Sequence, residues 1–171
     1  MHPGYIDYIK KVLRTAIVDL KVDLIHFDNT SERAEGPIFF HPLAKKDFRS
    51  YLQKNYTPQE LKTRLGFSNV SHVEPPVFAE PISIIEEPLF QLWTNFRCHQ
   101  LANFYSEMEL YIHSLNREIV VENNPCYGLS GVNTEWSCGM YYPALLSHTS
   151  IFWSEEGDEA GYTGMEYWSQ K

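Results

Sequence analysis

Long apolar runs, basic clusters and paired-cysteine motifs are all missing from this sequence, and each absence removes a class of function. No stretch approaches the ~18 consecutive apolar residues that would cross a bilayer, and no basic-then-apolar leader follows Met1. Neither a membrane partner nor a signal peptide is therefore expected; the compartment stays open, with the cytoplasm favoured. Lys and Arg number 14 against 22 Asp and Glu, a formal charge of −8, and they form no cluster. Such a surface repels a phosphate backbone, so nucleic acid is not an expected partner. The three cysteines, Cys98, Cys126 and Cys138, lack C-x-x-C spacing, which supports neither a disulfide framework nor a zinc site. A Cys126–Cys138 pair within one loop stands as the minor alternative, because intracellular thiols stay reduced. His41, His72, His99, His113 and His148 show no H-x-H or i, i+4 spacing, so no metal is expected. A Gly-rich phosphate loop, a G-x-S-x-G elbow and a Cys–His pairing are missing too, and no cofactor is expected.

What the chain does have is aromatic residues, 15% of the total, in a length of 171 that suffices for one domain with a real core. Residues 5–20 place Ile6, Ile9, Val12 or Leu13, Ala16 and Leu20 on one helical face. A strand, VDLIHFD, follows a one-residue break at Lys21. A helix is predicted over 42–55 and another after Thr57, with Pro58 in its first turn, Glu60 closing a capping box and Gly66 stopping it. Residues 67–85, with three prolines, read as loop, so 30–85 form a helical and loop insertion. From Glu86 to about Asn116 the apolar positions keep a helical period; Trp93 and Phe96 are packing residues on its face. REIVVENN reads as a strand, PCYGLSGVNTEWSCGMY as a long loop, YPALLSH as one or two helical turns, TSIFWSEEG as a strand and GMEYWSQK as a helix start. Alternation of this kind points to α/β, a parallel sheet of about three strands. Three strands are few for a closed sheet, so the expectation is a partial (β/α)8 (TIM) barrel forming a single domain over 1–171.

Each strand is apolar until its C-terminal end and then turns acidic: IHFDN at 25–29, VVEN at 120–123 and IFWSEEG at 151–157. Parallel strands with helical crossovers bring those ends to one face, where ligands bind. Asp28, Glu122 and the Glu155–Glu156 pair would then meet at one mouth. Alternation puts Ile25, Phe27, Ile119, Val121, Ile151 and Trp153 toward the helices. It turns His26, Asp28, Val120, Glu122, Phe152, Ser154 and Glu156 inward, which favours Glu156 over Glu155. Two facing carboxylates are what glycosidic-bond cleavage requires, one protonated as acid and one ionised as nucleophile or base. Tyr127, Trp136, Tyr141, Tyr142 and Trp153 lie in or beside loops on that face and suit stacking on sugar rings. Plainer roles compete with each assignment. Asp28-Asn29 can cap a turn, Glu122 can pair with Arg97 or Arg117, at least two of Glu155, Glu156, Asp158 and Glu159 can be merely solvated, and His26 can be a hydrogen-bonded core residue.

VDLIHFDNT, PLFQLWTNFRCHQLANFYSEMELYIHSLN, IVVENNP and SIFWSEEG resemble the middle of a (β/α)8 glycoside hydrolase. The similarity is to the family-42 β-galactosidase-like group and the hypothetical glycosyl hydrolases beside it, whose insertion after the fourth strand is similar to HPLAKKDFRSYLQKNY. The resemblance runs from about the third helix to the sixth strand of such a barrel, and it implies carbohydrate chemistry. It does not carry over the family's catalytic pair. An Asn-Glu acid/base ends the family's fourth strand, whereas this chain has Asp28-Asn29, and the nucleophilic Glu of the seventh strand would lie beyond Lys171. The resemblance therefore leaves Asp28 paired with a sixth-strand Glu, as in α-galactosidase-like barrels, or an inactive relative.

The expected function is hydrolysis of O-glycosidic bonds, with Asp28 as nucleophile or base, Glu156 or Glu155 as acid and Glu122 as third candidate. His26, Asn29 and Asn124 would hydrogen-bond sugar hydroxyls, and Tyr127, Trp136 and Trp153 would stack. The alternative is a non-catalytic carbohydrate-binding or pseudo-enzyme domain. Unpaired sheet edges add self-association as a further expectation.

Overall fold

The computed structural model of the chain describes residues 2–31, 41–76, 87–124 and 138–152. The elements run α1 (Pro3–Arg14), β1 (Leu24–Asp28), α2 (Pro42–Asn55), α3 (Pro58–Leu65), α4 (Pro88–Leu115), β2 (Val120–Asn124), α5 (Tyr142–Leu145) and β3 (Ile151–Phe152). The three strands form one parallel sheet in the order β1-β2-β3. The fold is thus α/β, with consecutive strands adjacent and helices in the crossovers.

Local chemistry sets the helix boundaries. Pro occupies the first turn of α1, α2, α3 and α4, where its missing N–H leaves no bond unmade. The His2 and His41 imidazoles cap α1 and α2 by accepting from the N–H of Gly4 and Leu43 at 3.1 and 3.2 Å. α3 carries the expected capping box: Thr57 Oγ1 accepts from Glu60 N at 3.2 Å, and Glu60 Oε2 accepts from Thr57 N at 2.7 Å. Gly66 closes it at φ 80°, a left-handed conformation that favours glycine. α1 does not run regularly to Leu20. A π turn at Thr15–Asp19, closed by Leu20 N donating to Thr15 O at 3.0 Å, inserts a residue into the helical period. The buried stripe is accordingly Leu13 and Ile17, while Val12 and Leu20 face solvent.

At 28 residues and 1.5 Å per residue, α4 is about 42 Å long, enough to serve two cores. Its first turns, through Phe90, Leu92, Trp93 and Phe96, pack with Phe48 and Leu52 of α2, Leu61 of α3, and Val70 and Val73. Trp93 and Phe96 are the packing residues that the helical period predicts, each in ring contact with Phe48 at 4.9 and 5.3 Å. Its later turns, through Leu101, Phe104, Tyr105, Met108 and Ile112, cover Phe27 of β1 and Val121 of β2 together with Leu13, Ile17 and Leu145. Arg49 ties the segment after α3 to α2, through Val73 O at 2.8 Å and the Glu74 carboxylate at 2.7 Å, and Lys45 pairs with the same carboxylate.

Register decides which face each strand residue occupies. Leu24, His26 and Asp28 pair with Val120, Glu122 and Asn124 on the face away from that core, whereas Ile25 and Phe27 pair with Val121 and Asn123 on the helix side. The alternation expected for β1 and β2 holds. In β3 it is reversed, because Ile151 pairs with Glu122 and Phe152 with Asn123. Phe152 sits on the helix side, edge-on to Tyr142 at 5.4 Å, and Ile151 is exposed beside the acidic face. Trp153, Ser154, Glu155 and Glu156 lie outside the described residues. Among the described residues no helix is long and apolar enough to cross a membrane.

Candidate functional site

The open face of the sheet changes character along its strands. Its N-terminal end is apolar, with Leu24 and Val120, and its C-terminal end is polar, with His26 opposite Glu122 and Asp28 opposite Asn124. Parallel pairing places all four polar side chains at one end of the sheet. His26 Nδ1 lies 2.8 Å from Glu122 Oε2, and its Nε2 lies 3.8 Å from Asp28 Oδ1. Asn124 Nδ2 donates to that same Asp28 Oδ1 at 2.9 Å. The Asp28 side chain is 54% exposed and Glu122 21%, so Asp28 is the carboxylate that a ligand meets first.

The plainer role of a turn belongs to Asn29 rather than to Asp28. Asn29 has φ 51°, a left-handed conformation that asparagine tolerates better than most residues. Its N–H donates to Asn124 O at 2.7 Å, and its carbonyl accepts from Ser31 N at 3.0 Å. The turn ends on a tether, Tyr105 Oη donating to Thr30 O at 2.9 Å. Tyr105 is almost fully buried beneath Phe27, and that burial pushes its phenol well above the ordinary tyrosine range, keeping it a donor. The hydrophobic core thereby fixes the backbone on the C-terminal side of Asp28.

Glu122 pairs with His26, not with Arg97 or Arg117. The four residues that meet, Asp28, His26, Glu122 and Asn124, are all sequence candidates, but their connections are new. Asn124 binds Asp28, and Glu122 binds His26. A signal was present: H-x-D in one strand and E-x-N in a parallel neighbour put both polar pairs on one face whenever the registers align. Tyr127, Trp136, Trp153, Glu155, Glu156 and Cys126 lie outside the described residues, as does the C-terminal helix start, and with Cys126 the alternative of a Cys126–Cys138 pair. Asn123, on the helix side, is 1% exposed, and its amide oxygen and nitrogen find no partner among the described residues. A separate groove of about 410 Å³ between α4 and the α5 segment, lined by Asn95, Cys98, His99, Ala102, Tyr141 and Ala144, shares no residue with the mouth. Among the described residues no three His, Cys, Asp or Glu side chains are grouped as metal ligands.

No protein-family model matches the chain, and no curated protein and no solved structure matches it significantly.

Proposed function

We propose that the chain carries the sugar-binding mouth of a glycoside hydrolase built on a partial (β/α)8 barrel, with Asp28 as nucleophile or base. The observation that carries this reading is the position of Asp28. It is a solvent-facing carboxylate at the C-terminal end of a parallel strand, oriented by the Asn124 amide at 2.9 Å and flanked by His26 and Glu122. The sheet face opposite the helices, apolar below and polar at its rim, is the arrangement that a barrel interior needs. Glu155 or Glu156 would supply the acid, and their separation from Asp28 would set retention or inversion. Asn29 would reach sugar hydroxyls, and Tyr127, Trp136 and Trp153 would stack on the ring. Among the described residues β1 and β3 are the edge strands, and self-association through those edges belongs to the same proposal.

The test is a panel of aryl glycosides and oligosaccharides incubated with the full chain and with Asp28→Asn. Release of reducing sugar that Asp28→Asn lowers by at least about a hundredfold, the lower range for losing a positioned acid or base, supports the assignment. Full turnover by Asp28→Asn removes it. One observation favours the non-catalytic alternative: the second described carboxylate, Glu122, is already engaged by His26 at 2.8 Å. In that reading sugars bind, Asp28→Asn changes affinity only, and no reducing end is ever released.

A further inference from the structure

The mouth holds a unit of three titratable groups. His26 points one ring nitrogen at Glu122 of β2, at 2.8 Å, and the other toward Asp28 of its own strand, at 3.8 Å. Among the described residues this face also carries the Asn124 amide and the apolar Leu24, Val120 and Ile151. No Lys or Arg side chain is paired with either carboxylate among the described residues. The imidazole is thus the cation available to both acids within this described set. An imidazole is also the side chain that changes charge between about pH 5 and 8. Two carboxylates and an imidazolium sum to −1; with the ring neutral they sum to −2.

We propose that His26, held in place by Glu122, is the positioning residue that sets the charge Asp28 presents to a ligand, so that the mouth selects uncharged and cationic sugars over anionic ones, increasingly as pH rises. The proposal rests on the sugar-site reading for its ligand class. Its physics does not: coupling between His26 and Asp28 follows from their separation alone. Glu122 acts by orientation, since accepting from Nδ1 turns Nε2 toward Asp28. An anionic sugar, such as a uronate or a sugar phosphate, meets a like-charged mouth in either state.

Two measurements on the full chain decide it. The first uses a quaternary N,N-dialkyl iminosugar, whose positive charge does not titrate, and its uncharged ring-oxygen counterpart, each titrated between pH 5 and 8. Affinity for the cation should rise by at least about fourfold over that range, the effect in water of one unit charge about 5 Å away. Affinity for the uncharged sugar should stay level, and His26→Gln should flatten the cation's rise. A rise that persists in His26→Gln, or no rise in the wild type, overturns the proposal. The second needs no ligand: the Asp28 side-chain carboxyl carbon is followed by NMR across the same range. A step near the imidazole titration, lost in His26→Gln and displaced in Glu122→Gln, supports the coupling; no step in the wild type refutes it. If neither sugar probe binds at any pH, the sugar-site reading and its ligand class fail, while the carboxyl titration still decides the coupling of His26 to Asp28.

Discussion

Replacing Asn124 by Asp tests the core of the site in a single atom exchange. Asn124 is fully buried and donates to Asp28 Oδ1 at 2.9 Å. In Asn124→Asp the donor becomes an oxygen, and two carboxylates share that contact. Two unit charges about 4 Å apart repel by between about 1 kcal/mol in water and about 4 kcal/mol at a surface-site dielectric. Asp28 is more than half exposed, which selects the lower part of that range, about 1–2 kcal/mol. The folded variant escapes by keeping one proton on the pair, a proton the unfolded chain releases. The pair's upper titration therefore lies higher in the folded state than in the unfolded one. Its stability is fully present below the ordinary carboxylate range and is lost as pH rises through the folded-state titration. Urea midpoints measured from pH 4 to pH 7 should fall for Asn124→Asp relative to the wild type, by an amount equivalent to about 1–2 kcal/mol at constant m. A variant whose pH profile parallels the wild type would show that residues 28 and 124 do not share that contact.

Three further outcomes follow from the packing around the mouth. Tyr105→Phe removes the donor to Thr30 O while keeping the rings against Phe27 and Phe104, and should cost about 1 kcal/mol in chemical denaturation; no loss would mean that the tether does not form. Leu101→Ala, at a fully buried position where α4 meets the sheet, should cost about 2–5 kcal/mol, whereas Leu110→Ala on the exposed side of the same helix should change stability by less than about 0.5 kcal/mol. Equal losses from the two would contradict the assigned helix face. Pairing with Lys45 and then Arg49 holds the Glu74 carboxyl below its ordinary value. Its contribution is present above the unfolded-state value and lost as pH falls through the folded one, so Glu74→Gln should flatten the acid limb of the stability profile.

Much of this architecture was legible because local rules and tertiary packing agree. Thr57, Pro58, Glu60 and Gly66 mark both ends of α3 by capping chemistry alone. In β1 and β2, alternation picks out Phe27 and Val121 as core and His26, Asp28 and Glu122 as the opposite face. The same rule could not orient β3, where Ile151 and Phe152 are both apolar and only hydrogen-bond register with β2 decides between them. The π turn at Thr15–Asp19 was equally hidden, since periodicity assumes an uninterrupted helix. The pairings inside the mouth depend on register between strands 96 positions apart. Periodicity within a strand places His26, Asp28, Glu122 and Asn124 on one face but does not say that Glu122 binds the imidazole and Asn124 the carboxylate.

The central claim is that a sugar sits against the open face of the sheet at Asp28. Chemical-shift mapping of the full chain, titrated with a panel of neutral mono- and disaccharides, tests it most directly. The account predicts saturable shifts centred on His26, Asp28, Glu122 and Asn124, weakened in Asp28→Asn. Shifts confined to other surfaces, such as the groove at Cys98 and His99, or none with any sugar, would contradict it.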